Sequence, residues 1–337
     1  WNTLVEDSIS STPFQTYEWI TSYIRHIHHP ESFILLLAYE DNRLVGIAPL
    51  LKYDYIRFKF IHFKKIVFIG EVFSEYCDFI IHKDYHEKVV TLFIEYLFSH
   101  YRAVQRIDLR DIPPVSKTNN ILNSLSDYSP IQFKGEKYLF IDTSKGIETY
   151  NSKFKNKTLQ SIKKKKNILT EREAKLFFGQ KIDSEKIEAL DRLNSSRMYE
   201  KGKTTFFNKD TSKFLLSASE ELNQSNITHT NYILLDDKII SIYLCFLFRN
   251  RLYFFISGID NNYEELSPGS VHLSSIIEYC FDNKIKEFDF LRGEDEYKFR
   301  FHPESRNTLR TVLFRKSKFG LIIKLLSWFR LFISGKL

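Results

Sequence analysis

One order of elements occurs twice along the chain, and that repetition limits the fold more than any other feature. FILLLAYEDNRLVGIAPLL (Phe33 to Leu51) reads as two apolar β-rich runs joined by Asp41-Asn42, a hairpin signature. NYILLDDKIISIYLCFLF (Asn231 to Phe248) repeats the pattern around Asp236-Asp237. Each hairpin precedes a further predicted strand, CDFII at Cys77 to Ile81 and LYFFIS at Leu252 to Ser257, and then a segment of helical period, about Glu87 to His100 and Ser270 to Phe281. Each helix runs into a short strand with a charged ending, RIDLRDI (Arg106 to Ile112) and EFDFLRGED (Glu287 to Asp295). The first copy is longer by the apolar and basic stretch Ile56 to Ile69, read as one more strand pair. A repeat of this length is a duplicated domain; a solenoid needs shorter and more numerous copies.

Two domains also follow from size, because 337 residues exceed the length over which one core usually keeps growing. Hydrophobic residues at 43%, with 31 Phe and 19 Tyr, supply two cores. The expected boundaries are 1–145, 146–315 and a basic tail, 316–337. Between the copies, Asn151 to Lys203 reads mainly as helix, with a partial apolar stripe of Ile182, Ile187, Leu190, Leu193 and Met198 and an Asp183-Ser184 start signal. Cys77, Cys245 and Cys280 are odd in number, far apart and form no C-x-x-C, which argues against a disulfide framework and a zinc site and for a reducing cytoplasm. His26, His28 and His29 have no other ligand type at metal-closing spacing, so no metal is expected. The stretch near Trp1 shows no signal-peptide pattern.

Charge is concentrated in two zones. Asn151 to Lys175 holds nine Lys or Arg, among them Lys153, Lys155, Lys157 and Lys163 to Lys166, against Glu171 and Glu173. Alone this resembles a phosphate or nucleic-acid footprint, but no nucleic-acid motif accompanies it. The expected reading is a solvated helix face or contacts to the phosphates of a small ligand. Lys316 to Leu337 carries Lys316, Lys318, Lys324, Arg330 and Lys336 and no acid. As a helix it gathers Lys324, Ser327, Arg330 and Ser334 on one side, with Trp328, Phe329 and aliphatic residues largely opposite. It is too short and charged to span a bilayer and suits a membrane surface, a partner or the core.

The second half, with PFQTYEW (Pro13 to Trp19) and SEYCDF (Ser74 to Phe79), resembles the CelD/BcsL-type acetyltransferase family of the GNAT superfamily, a relative of the FemABX peptidyltransferases in which two GNAT-like domains are fused. The resemblance runs from Pro13 to about Arg315 and is most specific in LSPGS (Leu266 to Ser270) and FDFLRGEDEYKFRF (Phe288 to Phe301). It implies an α+β fold of two GNAT-like domains in tandem, each a mixed, mostly antiparallel sheet flanked by helices. It also implies acyl transfer from acetyl-CoA or another acyl-CoA to an amino group in a cytoplasmic enzyme, often tied to polysaccharide or envelope metabolism. The acceptor is then a small-molecule or lipid-linked amine, and peripheral membrane contact through the tail is compatible with it. The glycine-rich pyrophosphate loop of ordinary GNAT enzymes, Q/R-x-x-G-x-G/A, has no full match here.

Acyl transfer from a thioester to an amine needs an anion cradle, a polarised carbonyl, a deprotonated amine and a proton for the leaving thiolate. Ser267 to Ser270 ends in Pro268-Gly269 directly before a helix, so the N–H groups of Ser270, Val271 and His272 are the expected cradle, with Ser267 and Gly269 beside them. In FDFLRGEDEYK, Gly293 lets the chain turn at the strand's end. Glu294 is the first candidate to accept the amine proton and Asp289 the second. Tyr297 is the candidate to protonate the thiolate, as tyrosines do in many GNAT enzymes. Arg292 and Lys298 are expected to hold an anionic group. By resemblance, Glu75, Tyr76 and Asp78 line the acceptor pocket, Gln15 does likewise, and Arg197 is a substrate contact. Two other readings share the fold: a FemABX-like transferase using aminoacyl-tRNA, and a non-catalytic GNAT-derived scaffold recruited to a membrane.

Overall fold

The computed structural model describes residues 1–27, 32–57, 61–154 and 156–333. His28, His29, Lys155 and Ser334 to Leu337 lie outside the described residues, as do the side chains of Lys157 and of Ser327 to Ile333. The chain runs through α1 (Asn2–Asp7), α2 (Tyr17–His26), β1 (Phe33–Glu40), β2 (Arg43–Arg57), β3 (Ile61–Phe68), β4 (Ile80–Ile81), α3 (His86–His100), β5 (Val104–Ile112), α4 (Thr118–Ser124) and β6 (Ile131–Asp142). It continues through α5 (Ile147–Asn151), α6 (Asn156–Glu171), β7 (Lys175–Gln180), α7 (Ser184–Glu200), α8 (Lys209–Gln224), β8 (Thr228–Leu235), β9 (Lys238–Phe248) and β10 (Arg251–Ile259). The last elements are α9 (Pro268–Asp282), β11 (Glu287–Arg292), α10 (Glu296–Phe299), β12 (Glu304–Phe314) and α11 (Lys318–Ile333).

Two compact units result. Trp1–Ile20, His28–Lys137 and Arg306–Leu337 form the first, and Thr21–Ile27 with Tyr138–Ser305 forms the second. The boundary expected after residue 145 falls after Lys137. The stretch from Arg306, read as the end of the second domain plus a separate tail, belongs to the first unit. Both units are α+β, with mostly antiparallel sheets flanked by helices, as expected.

In the first unit the strand order is β1-β2-β3-β5-β12, with β4 also on β2. Asp41 and Asn42 both adopt positive φ, 46° and 64°, the turn that matches strand twist in a two-residue hairpin. β3 runs parallel to β5, pairing Lys65 with Arg106 and Ile66 with Ile107, while β5 pairs antiparallel with β12. α3 makes the crossover and buries Val89, Val90, Phe93, Ile94 and Leu97 at helical spacing against Ile66, Ile107 and Leu109. Gly46 permits the close approach of β2, since a Cβ there would stand 2.5 Å from Val89 Cγ1. The topology corrects one reading of the repeat. The parallel partner of the charged strand is β3, whereas Cys77 to Ile81 is mostly loop and contributes only β4. Of Ile56 to Ile69, the described residues give the end of β2, up to Arg57, and β3, Ile61–Phe68.

The opposite face of this sheet carries a buried charge network. Asp108 is fully buried; Arg106 Nη2 donates to its Oδ2 at 2.5 Å, and Arg310 forks onto both oxygens at 2.7 and 2.8 Å. Burial by itself would raise this carboxyl, but Arg106 and Arg310 override it and hold Asp108 well below the usual carboxylate range. Beside the network, Ile323 of α11 is buried with Phe63, Val312 and Phe314. The tail helix thus caps the core at Ile323 while leaving Leu321, Ile322 and Leu325 exposed. Among the described residues no helix is long and apolar enough to cross a membrane.

In the second unit the order is β6-β11-β10-β9-β8-β7, with β6 contributing from Tyr138. Asp236-Asp237 closes the β8–β9 hairpin with φ of 50° and 56°. Arg249-Asn250 closes β9–β10 the same way, at 50° and 59°. α9 crosses over between the parallel strands β10 and β11 and buries Leu273, Ile276, Ile277 and Cys280 against Phe254, Phe288 and Phe290. α7 starts where expected, with Asp183 accepting from Lys186 N–H at 2.9 Å. It packs on β10, where a Cβ on Gly258 would meet Leu193 Cβ at 2.7 Å. β7, an edge strand on β8, interrupts the connection read as helix. Cys77, Cys245 and Cys280 are buried thiols and none is disulfide-bonded.

Removing the Asp108 carboxylate leaves the buried Arg106 and the half-buried Arg310 guanidinium without their anion. Asp108→Ala is expected to cost about 3–5 kcal/mol, seen as a lowered urea midpoint, whereas Asp127→Ala, which breaks the exposed Lys316–Asp127 pair at 3.1 Å, leaves the midpoint unchanged. Equal midpoints for the two variants would refute the stabilising role given to the network.

Candidate active site

The geometry of the second unit turns on two parallel strands that part early. β10 and β11 pair only from Arg251–Glu287 to Tyr253–Asp289, yet β10 continues to Ile259 and β11 to Arg292. β10 bulges between Phe254 and Ile256, and β11 kinks through Leu291 at φ 60° and Gly293 at φ 101°. Past Tyr253, one edge of β10 therefore has no strand partner among the described residues. Asn194 of α7 reaches into this region, its Nδ2 donating to Ser257 O at 2.8 Å.

The start of α9 lies against the far end of β10. Ser267 takes φ 50° before Pro268, and a Cβ on Gly269 would stand 2.4 Å from Ile259 Cδ1, so a larger residue here would displace the Ile259 side chain. Tyr243 of β9 donates its hydroxyl to Gly269 O at 3.0 Å. Ser270 and Val271 N–H both bond to Ser267 O, at 3.0 and 3.1 Å. They are thus not the open cradle expected from the sequence. His272 points away from the groove: it is fully buried, with Nδ1 and Ser241 Oγ 2.8 Å apart.

Around this helix start lies a cavity of about 730 Å³ bounded by Asn194, Arg197 and Lys201 of α7, Tyr243, Ser257, the Ser267–Ser270 turn, and Asp295, Glu296, Tyr297 and Arg300 near α10. A second cavity of about 330 Å³ shares Ser267, Ser270, Arg300 and Phe301 with it and adds Thr158, Ser161 and Lys165 of α6 and Val271. Arg197, Tyr243 and Tyr297 form its electrostatic centre. Burial, then the neighbouring Tyr243 hydroxyl and Asp295, push the Tyr297 phenol well above its ordinary value, while Arg197 opposes them. Burial does the same to Tyr243, again against Arg197. Lys201 is lowered by burial and by Arg197 and Lys203. Both phenols are thus raised by burial, and the charge of Arg197 opposes the rise in each. Among the described residues no cluster of His, Cys, Asp and Glu could hold a metal ion.

The structure sorts the expected site residues. Arg197, Tyr297, Ser267, Gly269 and Ser270 line the larger cavity, and Val271 the smaller one. Lys298 is buried and its Nζ donates to the carbonyls of Phe290, Arg292 and Gly293 at 3.2, 2.8 and 3.1 Å. Its charge is used to fold the turn, which corrects the expectation that it holds a ligand anion. Asp289 is fully buried and accepts from Leu291 N–H at 2.8 Å, bracing the kink of β11 rather than facing the groove. Glu294 is exposed and Arg292 half-buried, and neither lines the cavities; Asp295 and Glu296 do.

Gln15, Glu75, Tyr76 and Asp78 belong to the first unit. Asp78 is a buried hub, accepting from Ser10 Oγ at 2.6 Å, Thr118 Oγ1 at 2.7 Å and Phe79 N–H at 2.8 Å. Gln15 donates to Asp78 O at 3.1 Å and accepts from Thr12 N–H at 2.9 Å. These two are committed to holding the loop after β3, where Trp19 Nε1 also donates to Ser74 Oγ at 2.9 Å. Tyr76 is buried at φ 54° and accepts from Arg306 Nε at 2.8 Å, and Glu75 is largely buried. Of the basic helix, Lys166 pairs with Glu278 at 2.7 Å and Lys165 reaches Glu265 O, whereas Lys163 and Lys164 are exposed.

Asn194, Tyr243 and Arg300 were not singled out in the sequence. Two carried a usable signal: Tyr243 is the one hydroxyl-bearing ring inside the apolar run of β9, and Asn194 interrupts the buried stripe of α7 one residue after Leu193.

Comparison with known proteins accords with this geometry. Residues 156–299, which contain the groove's helix start, Arg197 and Tyr297, match the acetyltransferase (GNAT) domain model. No curated protein sequence matches the chain significantly. Among solved structures, FemX superposes with a TM-score of 0.64 at 9% identity, covering 92% of this chain and 94% of its own. L-PGS from Bacillus licheniformis superposes with a TM-score of 0.58 at 9% identity, covering 92% and 96%. The C-terminal DUF2156 domain of a putative lysylphosphatidylglycerol synthetase from Agrobacterium fabrum gives 0.57 at 11% identity, covering 98% and 96%. These likenesses are of fold, and it is residues 156–299 of this chain that match the acetyltransferase (GNAT) domain.

Proposed function

We propose that the protein transfers an acyl group, an acetyl group in the simplest case, from acyl-CoA to an amino group of a sugar, nucleotide-sugar or lipid-linked envelope or polysaccharide precursor, as in the CelD/BcsL-type family that its sequence resembles. The observation that carries this reading is the parting of β10 and β11 beside Arg197, Tyr243 and Tyr297. An unpaired strand edge offers main-chain groups to an extended ligand rich in amides. The close approach at Gly269 leaves room for such a ligand beside the helix, and Lys165 and Arg300 supply cations at the smaller cavity. Because the N–H groups of Ser270 and Val271 are already bonded, these side chains hold the phosphates in this reading, and no glycine-rich loop is required.

Acyl-CoA would supply an activated thioester: the amine nitrogen attacks its carbonyl carbon, the C–S bond breaks, and the thiolate leaves. Tyr297 delivers the proton to that sulfur, since its raised phenol is protonated at every working pH. Arg197, which lines the same cavity and lowers the Tyr297 phenol against its burial, would steady the negative charge that then develops on the tyrosine. The amine proton passes to Asp295, which lines the cavity and is held 3.7 Å from Lys298 Nζ. This moves the proton acceptor from Glu294 and Asp289 to the neighbouring carboxylate.

A second reading, in which the donor is aminoacyl-tRNA, draws on the exposed Lys163 and Lys164 of α6. The two readings part in one measurement. An acyl-CoA at a hundred times its Kd should stabilise the chain by about 2.7 kcal/mol and raise the melting temperature accordingly. If charged tRNA binds at physiological salt and no acyl-CoA shifts melting, the acyl-CoA reading is wrong. For the chemistry, Tyr297→Phe should lower kcat about 10²-fold or more with KM little changed. Full activity in that variant would remove Tyr297 from the proton transfer.

A further inference from the structure

The charged face of the first unit holds more positive charge than its own acids neutralise. Alternation along β5 puts Arg106, Asp108 and Arg110 on one face; β3 adds Lys65 opposite Arg106, β2 adds Tyr53 opposite Lys65, and β12 adds Arg310. Against these four cations stand two carboxylates, Asp108 and Glu71, so two positive charges are in excess.

The hydrogen bonds show where the excess sits. Arg106 and Arg310 take the close positions on Asp108. Arg110 lies 3.7 Å from Asp108 and 3.9 Å from Glu71, too far for direct hydrogen bonds to either. Arg106 Nε and Arg110 Nε are buried donors without an acceptor, and Glu71 Oε2 is a buried acceptor without a donor. Lys65 is 4% exposed and makes no ion pair or hydrogen bond to a described residue. Its ammonium rests over the rings of Tyr53 and Tyr55, 4.6 and 5.0 Å from their centroids. Burial pulls it down to about 8, with Asp108 and Glu71 only partly compensating.

An unmatched buried cation is costly unless something completes it. We propose that Lys65, Arg106, Arg110 and Arg310 form a binding site for a phosphate or pyrophosphate group. Phosphate fits on two counts. It carries about −1.5 to −2 charges near neutrality, the size of the excess, where a carboxylate carries one. Its several acceptor oxygens also suit guanidinium donors together with a lysine point charge. Entry is from the side of Arg110 and Arg310, whose side chains are 41% and 25% exposed. Binding of the anion stands on this cluster alone; its meaning for catalysis, that the amine acceptor carries a phosphate or pyrophosphate, rests on the acyl-transfer reading above.

The test is titration calorimetry of inorganic pyrophosphate into the full chain at fixed ionic strength. A site governed by the first unit's cluster is expected, separate from any phosphate held at Arg300. Arg110→Gln and Lys65→Met should each weaken it at least tenfold, while Arg300→Gln, which alters only the second unit's groove, leaves it unchanged. Because Arg110 is partly exposed, Arg110→Gln should keep the wild-type urea midpoint and remain decisive even if Lys65→Met fails to fold. Absence of pyrophosphate binding, or binding lost with Arg300→Gln and untouched by Arg110→Gln, would overturn the proposal. The acyl-CoA melting shift, measured in Arg110→Gln, should match wild type, so failure of the anion site and failure of the acyl-CoA reading give different results.

Discussion

Every feature of the proposed centre depends on main-chain hydrogen bonds that are not made. Two parallel strands that separate after Tyr253 and Asp289 expose part of a sheet interior, and a buried peptide group without a partner is expensive. The protein contains the cost by specific substitutions for strand pairing. Asn194 takes the carbonyl of Ser257, Asp289 takes the N–H of Leu291, and Lys298 collects three carbonyls of the turn that bends β11 away. The opening is thereby fixed rather than collapsed. What remains between the strands is a groove whose floor is backbone and whose rim is Arg197, Tyr243 and Tyr297.

The fold was readable because its signals are local. Asp-Asn and Asp-Asp turns between apolar runs demand positive φ at two successive residues, and the chain adopts it at both hairpins. The stripes of α3 and α9 follow the helical period that buries them. Strand partners are not local. The equivalence of Cys77–Ile81 with β10 failed because an apolar pentapeptide says nothing about which strand it will pair with, and β3, basic and mixed in pattern, hid its parallel role. Arg249-Asn250 also escaped notice, since arginine is not a usual residue for that turn.

The site was legible as a segment but not as a set of side chains. Phe288 to Lys298 does border the groove, yet within it the most conspicuous charges are committed to building the turn, and Tyr297 and Asp295 face the cavity. Sequence spacing could not separate these cases because a kink at Leu291 and Gly293 breaks the alternation on which the reading relied. The residues that complete the groove come from α7 and β9, far away along the chain. In the first unit, Asp78 and Gln15 illustrate the converse: polar residues in a distinctive pattern that serve an internal hydrogen-bond network.

The position of β12 has a consequence for how the chain is made. The strand that delivers Arg310 to Asp108 and Arg315 to the carbonyls of Val104, Phe98 and Tyr101 leaves the ribosome only after Tyr138–Ser305 of the second unit, although it belongs to the first unit. At about 5–20 residues per second, β5 and its buried acid wait roughly ten to forty seconds for this partner, while Tyr138–Ser305 of the second unit is synthesised in between. The nascent first unit spends that interval with one edge of its sheet open and with Asp108 lacking the second of its two close guanidinium partners. Its closure can follow only the synthesis of β12, so a chain terminated before β12 could contain most of the second unit yet never a finished first unit.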